Sequence, residues 1–72
     1  MVDRDELKSF LRFLDEASER ELNQRESALV AMIDVLSVSD VKRDQRFLLR
    51  LLREEKAARL QVRLLEAARK AG

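Results

Sequence analysis

The stretch Leu48–Ala68, reading LLRLLREEKAARLQVRLLEAA, limits what this chain can fold into more than any other. Phe47, Leu48, Leu51, Ala58, Val62 and Leu65 share one helix face at heptad-like spacing. Leu49, Leu52, Ala57, Leu60, Leu64, Ala67 and Ala68 lie off that face. A helix that is apolar over most of its circumference has to be buried on more than one side. A single neighbouring helix covers only one side. Each large aliphatic side chain left in water forgoes about 1.5–3 kcal/mol, a large share of what a small chain has in total.

That excess calls for association. The fold expected from it is all-α: an antiparallel two-helix hairpin dimerising with two-fold symmetry into a four-helix bundle. Composition points the same way. The chain has 72 residues, enough for one small domain (1–72), with no Pro and a single Gly at Gly72. Its 40% charged residues, with abundant Leu, Ala, Arg and Glu, favour helix. A chain this short buries little surface by itself, and without Cys it has no disulfide to staple it.

The same absences narrow the chemistry. Without His or Cys there is no imidazole base, thiolate ligand or cysteine nucleophile. No glycine-rich phosphate loop or di-metal carboxylate motif is present. Asp15, Glu16, Glu19, Glu21 and Glu26 point in several directions on a helix and read as a solvated acidic face. No catalytic residue, cofactor or metal is therefore expected, and the chain reads as a non-enzyme. No window is apolar enough to span a bilayer, and MVDRDEL is no signal peptide. A cytoplasmic protein without membrane contact is expected.

Taken in order, the chain predicts helix 1 over about 3–36, a turn over 37–40 and helix 2 over about 41–70. Asp3, with Glu6 three residues later, makes a capping box, and Val2 with Leu7 a hydrophobic staple. Leu7, Leu11, Leu14, Ser18, Leu22, Arg25, Leu29, Ile33 and Leu36 then follow a step of about 3.67 residues. The polar interruption at Ser18, Glu21 and Arg25 reads as a salt-bridged waist. Ser37, Ser39 and Asp40 suit a turn and a new helix start. Because the turn lacks glycine, the alternative is one continuous helix of about 100 Å in an antiparallel coiled coil.

Folding the hairpin near Val38 layers Met32 with Gln45, Leu29 with Leu48, Arg25 with Leu52, Leu22 with Glu55, Leu14 with Val62 and Leu11 with Leu65. The expected dimer core is Leu11, Leu14, Leu22, Leu29, Leu48, Leu51, Val62 and Leu65. Arg25 and Glu55 are expected to meet as a buried polar pair, within or between chains. Phe13, Leu49, Leu52, Leu60 and Leu64 are the candidates for partner binding, with Phe13 the one expected to be exposed.

Charge is divided along the chain. Residues 1–40 hold five basic and ten acidic side chains, a net of −5, and residues 41–72 hold ten and four, a net of +6. Arg43, Arg46, Arg50 and Arg53 recur at helical spacing and open the alternative of a nucleic-acid-binding bundle. Interleaved acids and the lack of Tyr and Trp weigh against it. The favoured reading is a small regulatory or adaptor protein that binds itself and another protein, inhibiting, sequestering or bridging it. A purely structural oligomerisation module is the remaining alternative.

Overall fold

The computed structural model describes residues 2–71, which are all-α: α1 (Arg4–Glu16), α2 (Glu19–Val35) and α3 (Ser39–Ala71). Three helices replace the expected two, and the continuous-helix alternative is not observed. The expected first helix over 3–36 is broken at Ala17 and Ser18. The connection after it is Leu36–Val38 rather than 37–40.

Local chemistry explains the break. Ser18 leaves the helix with φ −71° and ψ 165° and caps α2. The Glu21 amide donates to its Oγ at 3.2 Å, and the Ser18 amide donates to Glu21 Oε1 at 3.0 Å. This reciprocal box satisfies two amides that a helix start leaves orphaned. The residues expected to form a salt-bridged waist thus begin a new helix. Ala17 and Leu36 end their helices in extended backbone, ψ 145° and 132°. No described residue has positive φ, so neither stop needs a glycine. Asp3 occupies the N-cap of α1, but its side chain makes no capping hydrogen bond, so the expected box with Glu6 is not formed.

The break changes the packing. α2 runs antiparallel to α3, with Met32 beside Gln45 at one end and Glu19 paired with Arg63 at the other. α1 folds back and runs with α3: Val2 and Leu7 lie by Phe47, and Leu14 lies by Arg59. Phe10, Leu14, Ala17, Leu22, Leu29, Ile33, Leu48, Leu49 and Leu52 form one buried cluster. Val2, Leu7, Phe13 and Leu51 pack around it. The first part of α3 is thus covered on two sides, as its apolar circumference requires. Both covers come from the same chain.

Leu49 and Leu52, expected to bind a partner, are therefore core, and Leu52 is fully buried. Leu14, Leu22, Leu29 and Leu48 are buried too. Leu51 is half-buried, while Leu11, Val62 and Leu65 are exposed in the single chain. The layers Leu14–Val62 and Leu11–Leu65 are not formed, because α1 no longer continues along the axis of α2. Phe13 is half-buried rather than exposed. Its ring lies 6.2 Å from that of Phe10, and the Arg25 guanidinium stands over it at 4.8 Å.

Leu14 O and Ala17 O are among the carbonyls that the break leaves without helical partners. Arg59 fills both places, donating from Nη1 to Ala17 O at 2.7 Å and from Nη2 to Leu14 O at 2.8 Å. Its Nε donates to Glu55 at 2.8 Å. Arg59→Met is expected to lower unfolding free energy by about 1–3 kcal/mol, because both carbonyls lose charged donors. Leu52→Ala should cost about 2–5 kcal/mol, whereas Leu64→Ala should stay within about 0.5 kcal/mol. Urea denaturation of the three variants checks the order.

Candidate interaction face

α3 carries the candidate site, and what positions it is the line facing α1 and α2. That line reads Gln45, Leu48, Leu52, Lys56, Arg59, Arg63, at the three- and four-residue steps of one helix face. After Gln45 it is apolar as far as Leu52 and cationic beyond. The cations anchor α2 and the α1–α2 corner. Glu26 accepts from Arg53 Nε at 2.9 Å and from Lys56 Nζ at 2.7 Å, and Glu19 pairs with Arg63.

Within the chain, the expected Arg25–Glu55 pair is not formed. Arg25 covers Phe13, Glu55 pairs with Arg59, and the described residues include no buried polar side chain. The acid that crosses to α3 is Glu26, one position on. The phase shift at the Ala17–Ser18 break rotates Arg25 toward α1 and Glu26 toward α3.

The arginine strip is largely engaged within the chain. Arg43 pairs with Asp40 at 3.1 Å, Arg50 with Glu54 at 3.7 Å and over the Phe47 ring at 5.6 Å, and Arg53 with Glu26. Such surface pairs contribute little to stability. They do place a carboxylate beside each of these three cations, where a phosphate would otherwise sit. Arg46 lines an open groove of about 620 Å³ between α2 and α3, together with Val30, Ile33, Leu49, Arg53 and Ala57.

Apolar surface is bare where α3 runs on past α1 and α2, as it also is at Val35, Val38 and Val41 around the α2–α3 turn. Residues 60–71 are all exposed, including Leu60 at 51%, Leu64 at 63% and Leu65 at 63%. Leu60, Leu64, Ala67 and Ala71 share one face, continuous with Leu49 and Ala57 of the groove. Val62 and Leu65 lie on another, in line with Phe47 and Leu51. The cationic line separates the two stripes. Of the five partner-binding candidates, Leu60 and Leu64 are thus brought together on bare surface, while Leu49, Leu52 and Phe13 serve the interior.

The sequence marks Arg59 only as one of many cations and Glu26 only as part of an acidic face, and shows neither one's role. The first is found only once Leu14 O and Ala17 O are known to be free; the second needs the phase set by Ser18. Among the described residues, no helix is long and apolar enough to cross a membrane, and no three acidic side chains converge as a metal site would require.

Comparison with protein-family models, with curated proteins and with solved structures finds no match to this chain.

The Glu26 carboxyl is held below the usual range, first by the hydrogen bond from Lys56 and then by that from Arg53. Glu21 is lowered by the Ser18 amide and then its hydroxyl. A depressed carboxylate stabilises the fold above its unfolded pKa, and that contribution is lost as pH falls through the folded value. The melting temperature is therefore expected to drop below about pH 4.3. In Glu26→Gln the drop between about pH 6 and about pH 3 should be smaller, as thermal melts followed by circular dichroism would register.

Proposed function

We propose that this protein is a small, non-enzymatic regulatory or adaptor module of the cytoplasm. It acts as a homodimer through protein–protein contacts, inhibiting, sequestering or bridging a partner. The observation that carries this reading is the bare apolar stripe on residues 60–71 of α3. Leu60 and Leu64 are more than half exposed on a helix whose own inward line has already turned cationic. No further folding of this chain's described helices covers them. Apolar surface left this way on a small helical protein marks an interaction site.

Nucleic acid is the weaker reading. Of Arg43, Arg46, Arg50 and Arg53, three are paired with carboxylates of the same chain, and Glu54 stands among them. A purely structural oligomerisation module has the same stripe in its favour but leaves the groove at Val30, Ile33 and Leu49 without a role.

The test is capture from native lysate after nuclease treatment, comparing the intact protein with the double variant Leu60→Glu, Leu64→Glu. Proteins held by the first and released by the second are expected. Identical captured sets would place any binding elsewhere on the molecule and defeat this reading. Loss of all captured protein with nuclease would favour the nucleic-acid alternative.

A further inference from the structure

The occupant of the stripe has a recognisable shape and charge. We infer that Leu60, Leu64, Ala67 and Ala71 pack against the same four residues of a second copy running antiparallel. This rests on the docking reading above and gives the homodimer a specific interface. It differs from the dimer expected of two hairpins, because Leu49 and Leu52 are already buried at home.

Side-chain size sets the direction. With two copies antiparallel and centred between Leu64 and Ala67, Leu60 lies opposite Ala71 and Leu64 opposite Ala67. Each leucine meets an alanine, so the two helices approach closely and fill the space between them. A parallel pair sets Leu60 on Leu60 and Ala71 on Ala71, too wide at one end and too loose at the other.

Charge sets the same direction independently. Residues 60–71 hold Arg63, Arg69 and Lys70 against Glu66. Asp15, Glu16, Glu19 and Glu21 surround the corner between α1 and α2, which stands level with Arg59 and Arg63; Glu16 pairs with Arg12, Glu19 with Arg63 and Glu21 with the Ser18 amide, so Asp15 is the corner carboxylate most open to a second copy. Lys70 lies seven residues past Arg63, about 10 Å farther along the axis. It is thus removed from the corner of its own chain. In the antiparallel overlap Lys70 falls level with Gln61 of the second copy, beside that copy's acidic corner. A parallel pair would instead bring the two cationic ends together. Two-fold symmetry repeats each favourable contact. The overlap is about 18 Å long, short against the interface of about 1,600 Å² that stable complexes bury. A micromolar, concentration-dependent dimer is therefore expected.

Sedimentation equilibrium of the full chain, up to about 500 µM, is the primary test. A monomer–dimer equilibrium is expected, weakened about tenfold or more by Leu64→Glu and hardly changed by Val62→Glu on the other stripe. Lys70→Glu should weaken it too, and added Asp15→Lys and Glu16→Lys should restore part of the loss. Because the chain has no Cys, direction can be read by oxidation. Leu60→Cys mixed with Ala71→Cys should cross-link, and Leu60→Cys alone should not. Circular dichroism identical to that of the parent shows that the substituted chains fold.

A single-chain mass throughout, a dimer indifferent to Leu64→Glu, or Leu60→Cys linking to itself would each overturn the inference. A single chain that still captures protein through Leu60 and Leu64 overturns the second copy alone and leaves the docking reading standing. The converse, a dimer with these properties that captures nothing, upholds this inference and defeats the adaptor reading.

Discussion

The corner that returns α1 to α3 rests on one guanidinium. Arg59 holds Leu14 O and Ala17 O, two of the carbonyls set free when the first half of the chain turns back on itself. Without a donor there, the α1–α2 corner would leave carbonyls half-buried and unpaired, at a cost comparable to any single core contact. Arginine suits the place because its fork serves two carbonyls at once while Nε remains for Glu55. The corner matters because α1 reaches the second side of α3 only through it. The interaction thus joins the local break to the burial of Leu52.

Electrostatics follows the same geometry. The acidic first half and the basic second half meet mainly along α2 and α3, where Glu19 and Glu26 face Arg53, Lys56 and Arg63. These pairs are partly exposed and add only modestly to stability. Their larger effect is on alignment: Glu26 bridging two cations one turn apart fixes the sliding of α2 along α3. Hydrophobic contacts alone tolerate such sliding, since leucines recur at every turn.

Helix content was legible because propensity and the lack of Pro and Gly agree over the whole chain. The helical phase was misread at one place. Ser18-Glu19-Arg20-Glu21 is a capping-box signature, yet the apolar spacing from Leu7 to Leu36 runs through it without a gap. Periodicity and capping compete there, and capping prevails because the break allows Phe10 and Leu14 to be buried. Arg25 and Glu55 do not meet within the chain for the same reason, since the expected register assumed one unbroken phase. The excess of apolar surface on α3 was legible as a quantity. Its division was not: Leu49 and Leu52 are absorbed by α1 and α2, and Leu60 and Leu64 are not. That division depends on where the inward line changes from Leu52 to Lys56, which acquires meaning only once α2 has been placed.

The change from Leu52 to Lys56 also separates what the chain needs for folding from what it carries besides. Up to that point Leu48, Leu49, Leu51 and Leu52 of α3 join the core made with α1 and α2. Beyond it, Leu60 and Leu64 are more than half exposed, and Gln, Lys or Glu would serve helix formation about as well while improving solubility. Folding alone gives no reason for leucine there. In the proposed dimer, leucine at both positions, one turn apart and followed by alanines on the same face, would meet a neighbour close enough to need alanine and apolar enough to need leucine.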